Sequence, residues 1–276
     1  MTAIKDVTGT AFIVAEFRAR ENTEPHPLYL DQIVPLFLDQ RTREAADAIS
    51  NEFPAAATNV RIRTRYLDDR LEQQIARGCR QIVILGAGLD TRAVRKQAPG
   101  VRYFEIDDAR TLSAKQARLE QCGFDAPTVF IPGDYVAEGV LKLLEANGFD
   151  RAQPSFFIWE GNTMYLTRSA VMAVLAELVQ CVREFSISFD YMSEEVVART
   201  TGDQPISTFV ERFAAMGAPW HFGLNDLDAL AKETGLTVTD AAATAELHRV
   251  YWPDRALDSI MYQHYWLCTL QRATAV

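Results

Sequence analysis

Short apolar runs alternate with amphipathic stretches through the middle of the chain. Five runs of about five residues each predict strands, at Gln81–Leu85, Arg102–Ile106, Thr128–Pro132, Ser155–Trp159 and Phe185–Phe189. The segments between and after them have helical spacing, at Arg92–Gln97, Ala109–Gln121, Val136–Ala146 and Arg168–Val182. Apolar strands separated by helices are typical of a parallel sheet with helices on both faces.

The two ends of the chain follow other patterns. Residues 10–50 are predicted to be helical, broken by Pro25 and Pro27, and a further helix is predicted at Asn59–Arg77. After residue 190 a helix is expected around Phe209, Phe213 and Met216, and another from a cap at Asn225 to Glu233. Closing strands at Thr237–Ala243 and Tyr262–Leu270 are expected to form an antiparallel pair at the sheet edge.

These patterns predict one α/β domain over residues 1–276. Its sheet is expected to be seven-stranded, doubly wound and mostly parallel. Residues 1–58 would form an N-terminal helical cap, and residues 195–224 an inserted lid.

Composition narrows the classes of partner. The chain has 276 residues with a formal net charge of −9, which disfavours binding to phosphate backbones, so no nucleic acid partner is expected. Four scattered cysteines and four scattered histidines predict neither a disulfide framework nor a metal site. Without a long apolar run or a leader-like N-terminus, no membrane partner is expected, and a cytoplasmic location is predicted. Oligomeric state is left open.

The segment ILGAGLDTR, residues 84–92, carries the clearest chemical signal. Gly86 and Gly88 follow the first strand, where backbone can approach a ligand, and Asp107 ends the next strand nineteen residues later, where it can bind a ribose diol. Thr91 stands where a dinucleotide fingerprint has a third glycine, and Asp90 would repel a pyrophosphate. An unphosphorylated nucleoside such as S-adenosylmethionine therefore fits better. The alternative is a tight turn with Asp107 as a helix cap.

These residues resemble the leucine carboxyl methyltransferase-like family of class I S-adenosylmethionine-dependent methyltransferases, in its bacterial small-molecule branch. The resemblance covers nearly the whole chain. It rests on TGTA at 8–11, RTRYLDD at 63–69, QIVILGAGLDTRA at 81–93, YFEIDD at 103–108, GDY at 133–135, FFIWEGNTMYLT at 156–167, FDY at 189–191 and GAPWHFGL at 217–224. It implies a Rossmann-like fold, S-adenosyl-L-methionine as cofactor, and transfer of its methyl group to an oxygen of a small metabolite.

The resemblance also implies roles for single residues. Arg63, which extends the apolar stripe of its helix, would bind the cofactor's carboxylate, or instead pair with Asp90 or Asp107. Asp134 would accept from the adenine amino group with Tyr135 beside the ring, or instead form a turn at the strand end.

Glu160, the last of the implied cofactor residues, would hold the cofactor's ammonium. The alternative is that it is a solvated loop acid, although the apolar strand before it delivers it to the active rim of the sheet.

The chemical class of the acceptor determines whether catalysis requires a general base. A carboxylate is ionised at neutral pH and needs no base, whereas a phenol would want one, for which Tyr165 or His221 are candidates. Asn162 departs from the apolar residue common in the family, and a polar amide there is a third catalytic candidate. It raises an alternative reaction: the cofactor's own amine attacks its γ-carbon, giving azetidine-2-carboxylate and methylthioadenosine.

Aromatic residues of the predicted cap and lid are expected either to line an apolar acceptor pocket or to pack in the core. They are Phe12, Phe17, Tyr29, Phe209, Phe213, Trp220 and Phe222. Arg18 and Arg20 would either meet an acidic substrate or lie on a solvated helix face.

Overall fold

The structure, a computed structural model, describes residues 7–124 and 128–272 and contains one seven-stranded sheet. Its strands are β1 (Gln81–Leu85), β2 (Arg102–Asp107), β3 (Thr128–Pro132), β4 (Ser155–Trp159), β5 (Phe185–Met192), β6 (Leu236–Ala243) and β7 (Tyr265–Arg272). Their spatial order is β3-β2-β1-β4-β5-β7-β6. The first five strands pair in parallel, and β7 runs antiparallel to both β5 and β6. The predicted mostly parallel sheet is confirmed, including its antiparallel edge pair.

The described helices flank this sheet and cover one of its edges. They are α1 (Val7–Arg20), α2 (Gln40–Glu52), α3 (Ala55–Ala76), α4 (Arg92–Arg95), α5 (Ala109–Gln121), α6 (Tyr135–Glu138), α7 (Val140–Ala146), α8 (Arg168–Cys181), α9 (Glu194–Ala198), α10 (Gln204–Ala215), α11 (Leu227–Thr234), α12 (Thr244–Tyr251) and α13 (Met261–His264). Among the described residues, no helix is both long and apolar enough to cross a bilayer.

Alternation along the central strand explains why both faces of the sheet are covered. Successive side chains of a strand point to opposite faces. Ile82 and Ile84 pack with α3 on one face, whereas Val83 and Leu85 pack with α7, α8 and α11 on the other. All five residues of β1 are buried, as expected for a strand sandwiched between two helical layers.

The strand order reverses at β1, which lies between β2 and β4. Crevices at the carboxyl ends of strands on either side of such a reversal are where ligands bind in open α/β sheets. Helices α1, α2 and α10 lie over this edge and share a separate apolar cluster that includes Phe17, Phe53, Phe209 and Phe213. The fold therefore forms a covered crevice at the ends of β1, β2 and β4.

Several predicted element bounds were wrong for local reasons. The helix predicted over Val136–Ala146 is two helices, because Gly139 has φ 93° and ends the first. The second closing strand starts at Tyr265, three residues late, because the preceding residues form the short helix α13. The cap of α11 is Asp226, which accepts from the Ala229 amide, whereas the Asn225 side chain binds the start of α9.

Candidate cofactor and acceptor site

Two adjoining cavities lie at the carboxyl ends of the central strands. The inner cavity, of about 320 Å³, lies between the sheet and helices α1, α2, α3 and α10. The outer cavity, of about 540 Å³, lies at the ends of β2 and β3. Both are lined by Gly86, Asp107, Asp108 and Asn162, so the two cavities meet at the loop after β1.

The glycine loop and Asp107 form one hydrogen-bonded unit. Gly86 has φ 64° and Gly88 φ 48°, both in the left-handed region that favours glycine. The Gly88 amide donates to Asp107 Oδ2 at 2.6 Å, and burial raises the pKa of this carboxyl. Asp108 caps α5, accepting from the Arg110 and Thr111 amides, so the alternative of Asp107 as the cap was wrong.

Arg63 is held from three sides. Its Nε donates to Glu160 Oε1 at 2.9 Å, and its Nη1 donates to Asp190 Oδ2 at 3.2 Å and to the Tyr265 hydroxyl at 2.7 Å. The Tyr265 hydroxyl in turn donates to Asp190 Oδ2 at 2.5 Å. The alternative pairing of Arg63 with Asp90 or Asp107 was therefore wrong, although the guanidinium faces inward as predicted.

Glu160 is shared between two arginines. Its Oε2 accepts from Arg92 Nη1 at 2.6 Å, while its Oε1 accepts from Arg63. Burial raises the pKa of Glu160, but the positive charges of Arg92 and Arg63 outweigh it and lower the pKa to about 2. The side chain is only 9 % exposed, so the alternative of a solvated loop acid was wrong.

Arg92 connects this pair to a wider ionic network. It also contacts Asp90 at 2.5 Å and Asp68 at 2.7 Å, and Asp68 is bridged to Arg95 at 2.7 Å. Three arginines thus share five carboxylates, counting Glu160, Asp190 and Asp31, which lies 3.5 Å from Arg95. Removing one carboxylate would leave each arginine with another partner.

Asp134 and Tyr135 lie at the outer cavity but also have structural partners. Asp134 Oδ1 accepts from the Val136 and Ala137 amides at 2.9 and 3.1 Å, which is the turn predicted as its alternative role. Tyr135 is buried, and its hydroxyl accepts from Trp159 Nε1 at 2.9 Å. Both residues still line the outer cavity.

The three candidate catalytic residues lie in different places. Asn162 Nδ2 donates to the Glu160 and Gly86 carbonyls at 2.8 and 3.1 Å, and a Cβ at position 86 would lie 2.4 Å from this amide. Tyr165 lines the inner cavity. His221 is exposed and belongs to the described lining of neither cavity, so the base role predicted for it has no support in its position.

Four of the seven predicted aromatic residues line the inner cavity. They are Phe17, Phe209, Phe213 and Trp220. Phe222 and Tyr29 are buried elsewhere, and Phe12 is 37 % exposed.

The two arginines predicted near the substrate already have carboxylate partners. Arg18 lines the inner cavity but is paired with Asp31 at 2.9 Å, and Arg20 pairs with Asp47 near the surface at 2.7 Å. Arg18 is buried in its pair, so the solvated helix face predicted as its alternative was wrong, whereas Arg20 is partly exposed and lies on such a face.

Three residues of the site were missed by sequence reasoning. Asp190 and Arg92 stand inside motifs already noted, FDY and LDTR, where a charged residue beside an apolar strand is a usable signal. Tyr265 begins a strand and has no such signal, since its role depends on a partner 202 residues away.

Comparison with known proteins gives one consistent family. The family model of leucine carboxyl methyltransferase matches residues 11–179. A relative from Frankia alni, named as a candidate S-adenosyl-L-methionine-dependent methyltransferase, is 36 % identical over 61 % of this chain and 63 % of its own length. A second, from Streptomyces avermitilis and named in the same way, is 33 % identical over 77 % of this chain and 74 % of its own length.

Solved structures agree on the fold. A protein of the DUF574 family from Streptomyces avermitilis superposes with a TM-score of 0.64 at 15 % identity, covering 94 % of this chain and 97 % of that one. A protein from Thermobifida fusca, named as a candidate methyltransferase, gives 0.63 at 14 % identity and covers 94 % of each chain. With the family match over more than half of its length, this chain belongs to the leucine carboxyl methyltransferase family of S-adenosyl-L-methionine-dependent methyltransferases.

Proposed function

We propose that this protein is an O-methyltransferase that transfers the methyl group of S-adenosyl-L-methionine to an oxygen of a small metabolite. The observation that supports it best is the arrangement of Asp107, Glu160 and Arg63 around the joined cavities. In this proposal Asp107 binds the ribose, Glu160 the ammonium and Arg63 the carboxylate of the cofactor.

The adenosine half is assigned to the outer cavity. Asp107 accepts from the Gly88 and Asp108 amides, one on each carboxylate oxygen, and each oxygen has a second lone pair with which it would accept from a ribose hydroxyl. Asp134 and Tyr135 line the far side of the same cavity and would contact the adenine. Because the Asp134 carboxylate also caps α6, the backbone of that helix sets its position.

The amino-acid tail is assigned to the inner cavity beside Glu160. The Arg63–Glu160 pair would be exchanged for two pairs with the ligand: its carboxylate on Arg63 and its ammonium on Glu160. Arg92 keeps Glu160 ionised throughout, and Asp190 with Tyr265 keeps Arg63 in place.

When bound, S-adenosyl-L-methionine supplies a methyl group activated by a sulfonium. The chain would contribute orientation and exclusion of water rather than covalent chemistry. The predicted cap (1–58) and lid (195–224) supply the aromatic side of the inner cavity, and we propose that they hold the acceptor. Asn162, at the junction of both cavities, would contact the region of the sulfonium, and Tyr165 the acceptor.

Calorimetry with S-adenosylhomocysteine tests the cofactor assignment. Binding of this product is expected, with at least tenfold weaker binding by Arg63→Ala, because a hydrogen bond to a charged group contributes about 1.5–3 kcal/mol. A folded protein that does not bind S-adenosylhomocysteine would refute the proposal.

Incubation with S-adenosyl-L-methionine alone distinguishes the two reactions. Methyl transfer predicts no turnover until an acceptor is added, and then S-adenosylhomocysteine. Release of methylthioadenosine with azetidine-2-carboxylate from the cofactor alone would establish the cyclisation instead.

A further inference from the structure

We propose that the acceptor is an acidic phenol or enol that is already ionised when it reacts, carried on a flat apolar body in the inner cavity. This inference rests on the proposed function and specifies its substrate class. It follows from the walls of the cavity, from the groups that could remove a proton, and from the charges available to an anion.

The wall opposite the cofactor residues is aromatic and rich in methionine. Phe53 and Phe209 stack with their ring centroids 4.5 Å apart, and Trp220 packs against Phe209 at 5.9 Å. Met164 and Met192 complete this side. Aromatic and thioether side chains bind flat apolar bodies through area and edge contacts, so the body of the acceptor is expected to be planar and apolar.

Each described carboxylate that lines the inner cavity is already engaged. Asp90 binds the amide and the guanidinium of Arg92, and Asp108 caps α5. Asp107 accepts from two backbone amides and is assigned to the ribose, and Glu160 is held by two arginines. A carboxylate held by arginines is too weak a base for a neutral alcohol, because its proton affinity is lowered by the same charges.

The tyrosines of the inner cavity do not replace these carboxylates as a base. Burial raises the pKa of Tyr165, and its neighbours Thr10, Arg63 and Trp220 offset only part of this rise, so its hydroxyl stays protonated at neutral pH. The Tyr265 hydroxyl is bonded to Asp190 and Arg63. An acceptor that must lose its proton to a protein base would therefore react slowly. An acceptor that is already ionised in water at neutral pH needs no such base.

The cations of the inner cavity are engaged as well. Arg18 binds Asp31, the Leu89 carbonyl and Thr91, and Arg63 is assigned to the cofactor. The positive sulfonium of the cofactor attracts every anionic acceptor equally, so it does not distinguish a carboxylate from a phenolate. A carboxylate concentrates its charge on two strongly hydrated oxygens, and a single hydroxyl donor replaces only part of that hydration, which is costly in an apolar cavity. A phenolate or enolate spreads its charge over the apolar body and loses less.

Tyr165 lines the inner cavity and is a hydrogen-bond donor for an oxyanion bound there. Because its hydroxyl stays protonated, it can donate to the acceptor oxygen. The acceptor loses its proton to water before the reaction. Its oxygen then forms a bond to the methyl carbon as the carbon–sulfur bond breaks, and the electron pair of that bond stays on sulfur, giving S-adenosylhomocysteine.

Three small probes test the acceptor class: 4-nitrophenol, 4-methylphenol and 4-methylbenzoate. With S-adenosyl-L-methionine at pH 7, formation of S-adenosylhomocysteine is expected to be at least tenfold faster with 4-nitrophenol than with either other probe. With 4-methylphenol the rate should rise about tenfold per pH unit toward the phenol pKa of ~10. A fastest reaction with 4-methylbenzoate, or a rate with 4-methylphenol that does not change with pH, would overturn the inference.

If none of the three probes is methylated, their binding affinities still test the acceptor class. On protein saturated with S-adenosylhomocysteine, 4-nitrophenol should bind at least tenfold more tightly than 4-methylbenzoate, and binding of neither probe would overturn the inference. Binding of S-adenosylhomocysteine itself separates the two proposals: if it binds and the benzoate is preferred, only the acceptor class fails.

Variants at two tyrosines test the hydrogen bond. Tyr165→Phe should lower kcat for 4-nitrophenol at least tenfold and leave the affinity for S-adenosylhomocysteine unchanged. Tyr251→Phe, outside both cavities, is the matched control and should change neither. An unchanged kcat in Tyr165→Phe would remove Tyr165 from the acceptor site.

Discussion

Glu160→Gln tests the proposed ammonium site with the smallest change in shape. The substitution removes one negative charge from a side chain that now accepts from Arg63 at 2.9 Å and from Arg92 at 2.6 Å. The fold should tolerate it, because Asp68, Asp90 and Asp190 remain as partners of these arginines. The variant therefore probes ligand binding more than folding.

The expected loss follows from the interaction that disappears. A hydrogen bond to a charged group contributes about 1.5–3 kcal/mol, and 1.4 kcal/mol is tenfold in affinity, so S-adenosylhomocysteine should bind about 10- to 100-fold more weakly. Methylthioadenosine has the same adenosine but no ammonium, and its affinity should stay within about twofold. The ratio of the two affinities isolates the contact of interest from any general loss of structure.

Calorimetry of both ligands with three proteins provides the assay. The matched control is Glu233→Gln, which removes an exposed glutamate paired with Arg168 at the surface. It should bind both ligands like the unmodified protein. If Glu160→Gln weakens methylthioadenosine as much as S-adenosylhomocysteine, or weakens neither, Glu160 does not bind the ammonium group.

Three further predictions concern the ribose site, a buried ion pair and acid stability. Asp107→Ala should weaken S-adenosylhomocysteine and methylthioadenosine at least tenfold alike in calorimetry, and a loss confined to one of them would contradict ribose binding. Lys115→Met leaves the buried Glu105 carboxylate unpaired and should lower the free energy of unfolding by about 3 kcal/mol in urea at pH 8, unlike the exposed Lys142→Met. Burial raises the pKa of Glu105 to about 7, and Lys115 offsets only part of this rise. Between pH 4.5 and 7 the native state therefore binds more protons than the unfolded state. At pH 5 Glu105 is protonated in the native state, so the stability lost in Lys115→Met should be smaller than at pH 8. The pKa of Glu160 is lowered to about 2, so its contribution to stability is present above about pH 4.5 and is lost as the pH falls toward 2; the stability difference between the protein and Glu160→Gln should narrow over that range.

Local sequence determined the strands and the place of the glycine loop after β1. β1, β3 and β4 begin and end at the predicted residues because each is a short apolar run; both faces of β1 and β4 are buried, whereas β3 is the half-buried edge strand. The loop after β1 was identifiable because glycine spacing and the acid at the end of β2 are constraints within about 25 residues of one another. The limits of these strands and the position of the glycine loop depend on backbone geometry, which residues close in sequence determine.

Tertiary structure alone decided how the charged residues are paired. Arg63 lies 97 residues from Glu160 and 202 from Tyr265, and no local periodicity specifies contacts over such separations. For the same reason the sequence could not show that His221, next to the cavity residue Trp220, is exposed, or that the charge of Arg92 lowers the pKa of Glu160. The sequence determined which chemical groups reach the rim of the sheet, because strand ends fix that. Only the folded arrangement determined which of them meet, because pairing between buried charges is set by the packing of elements distant along the chain.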